Sequence, residues 1–317
     1  MELPTQDAMN GISTKQPMNE STNQPINPLI PYGWLRAMLF IAFFFLILMA
    51  LQWGTGELLN VIQKASTGKD ESFGQMLQSN IWISVAVTSI SAFLGVWVFR
   101  RYIDRQTIAS LGFAWKGFAG HAWTGFFSSI AMLGIGTLVL VLMQYLSFTG
   151  IELDPVSLIS GIGLMVLVAF SEELLFRGYL LNNLMQSMNK WVALAISAVL
   201  FALVHMGNPN AQQSVLPVIE IFIGGLMLGI NYIYTKNLWF AIFLHFGWNF
   251  FQGPVLGYEV SGIDLKPILT QNLNGPAMWT GGAFGFEGSL LSMVVNVLLI
   301  LVLVGVYERK RLGFLKQ

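Results

Sequence analysis

Eight stretches of this chain are apolar over lengths at or near the roughly 20 residues that a helix needs to cross about 30 Å of hydrocarbon. They fall near 35–53, 81–99, 121–146, 157–177, 191–206, 215–234, 237–253 and 289–307. Lipid offers no hydrogen-bond partners, so a spanning segment must satisfy its backbone internally, as a helix does. The expected fold class is therefore all-α: a polytopic membrane helix bundle of about eight transmembrane helices. Composition agrees where it matters. Charged residues make up 10% of the 317, against about 25% in soluble domains, too few to coat the two soluble domains that such a length would suggest. The absence of cysteine excludes a disulfide scaffold, and 16 basic against 16 acidic residues leave no net charge to draw a nucleic acid.

Residues 1–33 are polar and rich in Asn, Gln, Ser, Thr and Pro, and read as a disordered tail; residues 34–317 read as one membrane-embedded domain. The fifth and seventh spans are short, which suits helices lined by protein rather than lipid. Three connections stand out: a polar loop at 54–80, a basic one at 100–120 carrying Ser110-Leu111-Gly112-Phe113, and a long glycine-rich one at 254–288, expected to fold back as a cap or gate. An even number of spans puts both termini on one side. That side would hold 13 of the 16 basic residues, leaving Lys64, Lys69 and Lys266 on the other. The bias predicts a multi-pass plasma-membrane protein with both termini cytoplasmic, and the compact size fits a bacterial origin.

Ionisable groups inside the bilayer cost about 2.5–3.5 kcal/mol each on insertion scales, so each needs a reason. The densest group is Ser171-Glu172-Glu173-Leu174-Leu175-Phe176-Arg177-Gly178, at the end of the fourth span. Glu173 and Arg177 are four apart, share a helix face and can pair. Glu172, rotated by about 100°, is left without that partner, and a carboxylate lacking a neutralising neighbour in a dry site suits a general base. For Glu172 to reach the depth of the other polar groups, the fourth helix must continue through Tyr179–Met188. The fifth span ends Phe201-Ala202-Leu203-Val204-His205, and the seventh contains His245-Phe246-Gly247-Trp248-Asn249. Phe201 with His205, and His245 with Asn249, are each one turn apart and present one face. A lone intramembrane His is more often a helix–helix hydrogen bond than a catalyst. Here two of the three histidines lie in separate apolar spans, and with Glu172 and Asn249 they make an inward polar set.

Glu-Glu-x-x-x-Arg, Phe-x-x-x-His and His-x-x-x-Asn, in that order on successive spans, resemble the CPBP family of CAAX proteases and bacteriocin-processing enzymes, also called Abi proteins, which includes the type II CAAX prenyl endopeptidases. The resemblance covers about 157–253. It implies an intramembrane endopeptidase acting on a membrane-associated peptide or protein in the lipid bilayer. By motif position Glu172 would activate water, His205 would help hold it, and His245 and Asn249 would stabilise the oxyanion, with Glu173, Arg177 and Phe201 supporting. Family members have been described both as glutamate proteases and as metalloproteases. No cofactor is favoured, because Asn249 is a poor zinc ligand and a good oxyanion donor, and no His-Glu-x-x-His occurs. The alternative is Zn²⁺ held by Glu172, His205 and His245.

Other protease classes fit badly. No Gly-x-Ser-x-Gly frame is present, and none of the five aspartates falls inside a span. The rival from a different class is an ion- or proton-coupled transporter using Glu172, the histidines and Glu220, which sits in the sixth span outside the three motifs. The charge bias yields a direct test of topology. In this cysteine-free chain, a single Cys at Lys15 or Lys316 is expected to be shielded from an impermeant thiol reagent in intact cells and a Cys at Lys69 to react. Labelling at either terminus would overturn the orientation.

Overall fold

The computed structural model describes residues 27–67 and 81–314. Most of the expected tail and residues 68–80 of the expected polar loop lie outside the described residues. The described residues are mostly helical, and six helices are long and apolar enough to cross a membrane. Among the described residues the longer helices are α1 (Gly33–Thr67), α2 (Ile81–Val98), α3 (Ala119–Leu142), α4 (Pro155–Glu173), α5 (Lys190–His205), α6 (Val215–Thr235), α7 (Trp239–Phe250) and α8 (Leu290–Phe314). Each matches one expected span, and the two short ones are α5 and α7, as the sequence predicts. Large apolar side chains stay exposed along them, such as Phe127 and Leu138 on α3 and Leu298 and Leu301 on α8. In water such stripes would be a liability; in lipid they are the contact surface.

Two features differ from the sequence reading. Helix α1 runs on to Thr67, because Leu58, Val61 and Ile62 keep the helical period beyond the first apolar stretch and remain exposed. Two short strands were not expected: β1 (Leu146–Ile151) pairs antiparallel with β2 (Leu269–Leu273), from Leu146↔Leu273 to Ile151↔Leu269, with an irregularity between Phe148 and Gly150. Neither segment alternates strongly enough to announce a strand.

The described chain forms two compact units. The first comprises the residues up to Leu111 together with Phe170–Asn189, and the second comprises Gly112–Ala169 and Lys190 onward. In the first unit the Phe40 ring sits 4.3 Å from Tyr179, and one buried carboxylate serves two guanidiniums: Asp104 accepts from Arg36 at 2.7 Å and from Arg100 at 2.9 Å. Arg36 also donates to Gln186 at 2.6 Å, and the Tyr179 hydroxyl donates to Asp104 at 3.4 Å. Breaking such a pair strands the remaining charge, at a cost of about 3–5 kcal/mol.

In the second unit α3 and α7 approach closely at Gly125 and Gly247: a Cβ on the former would overlap the Phe240 carbonyl, and one on the latter the Ser129 hydroxyl. Helices α6 and α8 are joined by polar atoms. Buried Glu220 accepts from Ser292 and Asn296, which lie one turn apart on α8. The sixth-span carboxyl is therefore a helix–helix fastener, and the rival transporter reading loses its best feature. Glu220→Gln keeps a hydrogen-bonding side chain there and should fold at near-normal yield. Glu220→Leu leaves two buried groups without an acceptor, costing about 1–3 kcal/mol each. Thermal unfolding in detergent checks this ranking, and equal stability of the two variants would contradict it.

Candidate active site

The first motif lies where α4 changes pitch. Beyond Glu173 the helix continues as a π-helical segment, Leu174–Leu181, and a closing turn, Asn182–Leu184. The continuation expected through Met188 is realised as far as Leu184. π-turns inside helices are frequent at functional sites. Arg177 donates to Glu173 at 2.8 Å, with both side chains about 1% exposed or less, so the i,i+4 pair read from the spacing is formed. Beside it the Ser89 hydroxyl donates to Ser171 at 3.1 Å. Glu172 is half-buried. One refinement is needed: Glu172 also lies within Coulombic reach of Arg177, so the arginine's charge is shared although its hydrogen bond goes to Glu173.

The second and third motifs belong to the second unit. The last turn of α5 places His205 Nδ1 2.8 Å from the Phe201 carbonyl oxygen. A carbonyl only accepts, so Nδ1 carries the proton and Nε2 is the ring's acceptor nitrogen when the imidazole is neutral. The Phe201 ring lies 4.3 Å from the His205 ring and 6.4 Å from that of His245, between centroids. Phe201 thus touches both histidines' surroundings and fixes one of them through its backbone. On α7, His245 and Asn249 are 7% and 6% exposed.

Both ends of α7 are anchored. At its start the Asn237 side chain accepts from Trp239 N at 3.1 Å and donates to the Ala114 carbonyl at 2.8 Å, a side-chain cap of the first turn. Trp239 Nε1 donates to Phe113 O at 3.2 Å and Leu238 N to Gly112 O at 2.9 Å. The Gly112-Phe113 part of the Ser-Leu-Gly-Phe segment therefore clamps the helix that carries His245. At its far end α7 widens into a second π-turn, Phe251–Val255, which contains Pro254. Proline has no N–H to give to the preceding turn, which accounts for the loss of α-helical bonding there. Buried Gln252 donates to Glu259 O at 2.7 Å.

The glycine-rich loop folds back on this helix, as expected of a cap. Phe286 is buried, 6.2 Å from Trp248 and 5.6 Å from Tyr258 between ring centroids. The next residue, Glu287, was not singled out from the sequence. Its carboxylate accepts from the Ser261 hydroxyl at 2.6 Å and from the Ser261 backbone N–H. Burial raises its pKa above the ordinary carboxylate value, and the Ser261 bonds and the charges of His205 and His245 oppose the rise. Glu287 thus lies within Coulombic reach of both motif histidines. The available signal was its isolation: it is the only charged residue between Lys266 and Glu308.

The structure thus brings Phe201, His205 and His245 together, aligns Asn249 with His245, and pairs Glu173 with Arg177, while Glu172 sits beside that pair. Zinc requires several ligands at one point. The Nδ1–H bond of His205 to a carbonyl is of the kind metal-binding histidines make, yet no three His, Asp or Glu side chains form a metal-holding group among the described residues.

These features define a polytopic helical membrane protein whose motif carboxylates, imidazoles and amide are buried or half-buried within their own units. Residues 154–251, less than half of the chain, match the family model described as type II CAAX prenyl endopeptidase Rce1-like. No curated protein matches the chain. The ion-pair geometry separates the two adjacent glutamates experimentally. Glu173→Gln, which leaves buried Arg177 short of its carboxylate, should lower stability by about 3–5 kcal/mol and reduce folded yield. Glu172→Gln should leave both nearly unchanged. Unfolding and membrane abundance of the two variants check this, and the reverse ranking would exchange the roles.

Proposed function

We propose that this protein hydrolyses a peptide bond of a membrane-associated peptide or protein by water that Glu172 activates. One observation carries the reading. All seven residues singled out by spacing, Glu172, Glu173, Arg177, Phe201, His205, His245 and Asn249, fall inside the segment that matches the endopeptidase family. Glu172 takes a proton from water as the oxygen attacks the scissile carbonyl carbon. His205 holds that water, and His245 and Asn249 donate to the oxygen that gains negative charge. Collapse of the tetrahedral intermediate breaks the C–N bond, and the proton held by Glu172 goes to the leaving amine. Phe201 keeps His205 in the tautomer with Nε2 turned to this work, and Glu173 neutralises Arg177 so that Glu172 keeps its role as base.

The charge distribution supports cytoplasmic termini, and the compact size fits a bacterial plasma-membrane protein. Prenylated CAAX proteins, which the family name specifies, and other lipid- or membrane-anchored peptides are both within the substrate class. The metal-free mechanism is favoured by Asn249, which suits an oxyanion better than zinc, and Zn²⁺ on Glu172, His205 and His245 is its rival. Active protein purified in detergent should contain negligible metal by elemental analysis, and Asn249→Ala should lower kcat by about 10²–10³ without loss of fold. About one zinc per active chain, lost in His205→Ala, would contradict the mechanism.

A further inference from the structure

The second unit gathers cations where three of its helices end. Lys190 opens α5, Lys236 follows α6, and Arg311 lies in the last turn of α8. The Lys190 ammonium stands 3.7 Å from the centroid of the Tyr234 ring and 5.3 Å from that of Trp191. The Lys236 ammonium stands 5.6 Å from the centroid of the Tyr232 ring. A ring face attracts a cation and holds it in place without neutralising it. Tyr234 is itself fixed: it stacks on Tyr307 at 4.7 Å between centroids and donates to Glu308 at 2.7 Å. The surroundings of Lys190 are cationic. Two like charges, Lys236 and Arg311, and one opposite charge, Glu308, lie within Coulombic reach of it. Glu308 is already engaged, since it accepts from Tyr234 and stands 3.8 Å from Arg311. Like charges held this close repel, and an anion between them offsets the repulsion. An orientation bias places cations on one side of a bilayer and gives no reason for gathering them around one point.

The flanking surface says which anion fits. Helices α5 and α8 both pack on α6. Moving along α5 from Lys190, Trp191, Val192 and Val199 are exposed; moving back along α8 from Arg311, Val306 and Val302 are exposed. Cations at the helix ends therefore continue into apolar side chains that face lipid. A free phosphate would use the cations alone. A phospholipid would use both surfaces, its phosphate on the ammonium and guanidinium groups and its acyl chains on the apolar ones, and basic pockets between membrane helices are a recurring headgroup site.

We propose that Lys190, Lys236 and Arg311 hold the phosphate of an anionic phospholipid whose acyl chains lie along the exposed apolar faces of α5 and α8. Such a lipid braces the ends of three helices, one of which carries His205 at its other end. The site does not depend on the endopeptidase reading. The test reconstitutes the full chain in nanodiscs of phosphatidylcholine, with or without a minor share of phosphatidylglycerol, and follows thermal unfolding. Phosphatidylglycerol should raise the Tm of the wild type by about 2–4 °C. Lys190→Gln plus Lys236→Gln should remove that rise. Lys116→Gln plus Arg309→Gln, the same change of charge at residues that these ring contacts do not include, should keep it. Native mass spectrometry of the wild type should show about one phosphatidylglycerol retained in preference to phosphatidylcholine. No rise with phosphatidylglycerol, or equal loss of the rise in both double variants, would overturn the site. An equal rise from inorganic phosphate in phosphatidylcholine discs would overturn the lipid in favour of a free anion. If the Lys190/Lys236 variant does not fold, the mass-spectrometric comparison on the wild type decides, and no preference between the two lipids overturns the proposal.

Discussion

A charged group carried into hydrocarbon must bring its partner with it, and this constraint organises the molecule. Arg177 is buried with Glu173 at 2.8 Å, Arg36 and Arg100 share Asp104, and Glu220 is held by Ser292 and Asn296. Each arrangement removes a cost of several kcal/mol that lipid would otherwise impose. Glu172, His205, His245 and Asn249 are the remaining polar side chains of the three motifs, and the proposed hydrolysis gives each of them a role.

Anchoring explains how such groups are kept in place. His205 is tied to the backbone of its own helix through the Phe201 carbonyl. The helix with His245 and Asn249 is capped by Asn237, clamped by the 112–114 segment and covered by Phe286. π-turns follow both Glu173 and the Asn249 region, so helical pitch changes within the first motif and just after the third. Close packing at these points is compatible with a site that must hold several polar side chains to within a fraction of an ångström.

Much of this was legible in the sequence because it depends on short-range periodicity. Spans of about 20 apolar residues, the i,i+4 relation of Glu173 to Arg177, and the one-turn relation of Phe201 to His205 follow from helical geometry alone. What escaped depends on long-range contact. Strands β1 and β2 join residues more than a hundred positions apart, and the partners of Glu220 lie two helices onward. Glu287 was hidden for the same reason: its relation to Ser261 and to the two histidines comes from the loop folding back, which glycine content indicates only in outline. Proline explains the π-turn at Phe251–Val255, and the one at Leu174–Leu181 has no comparable local signal.

The central claim, that Glu172 drives hydrolysis of a membrane-associated substrate, is tested most directly by comparing the membrane proteomes of cells that express the wild-type chain and Glu172→Gln at equal abundance. The account predicts that at least one membrane-associated protein or peptide persists as a longer precursor in the variant and appears as a cleaved form with the wild type. Identical proteomes, with both proteins folded and equally abundant, would contradict it.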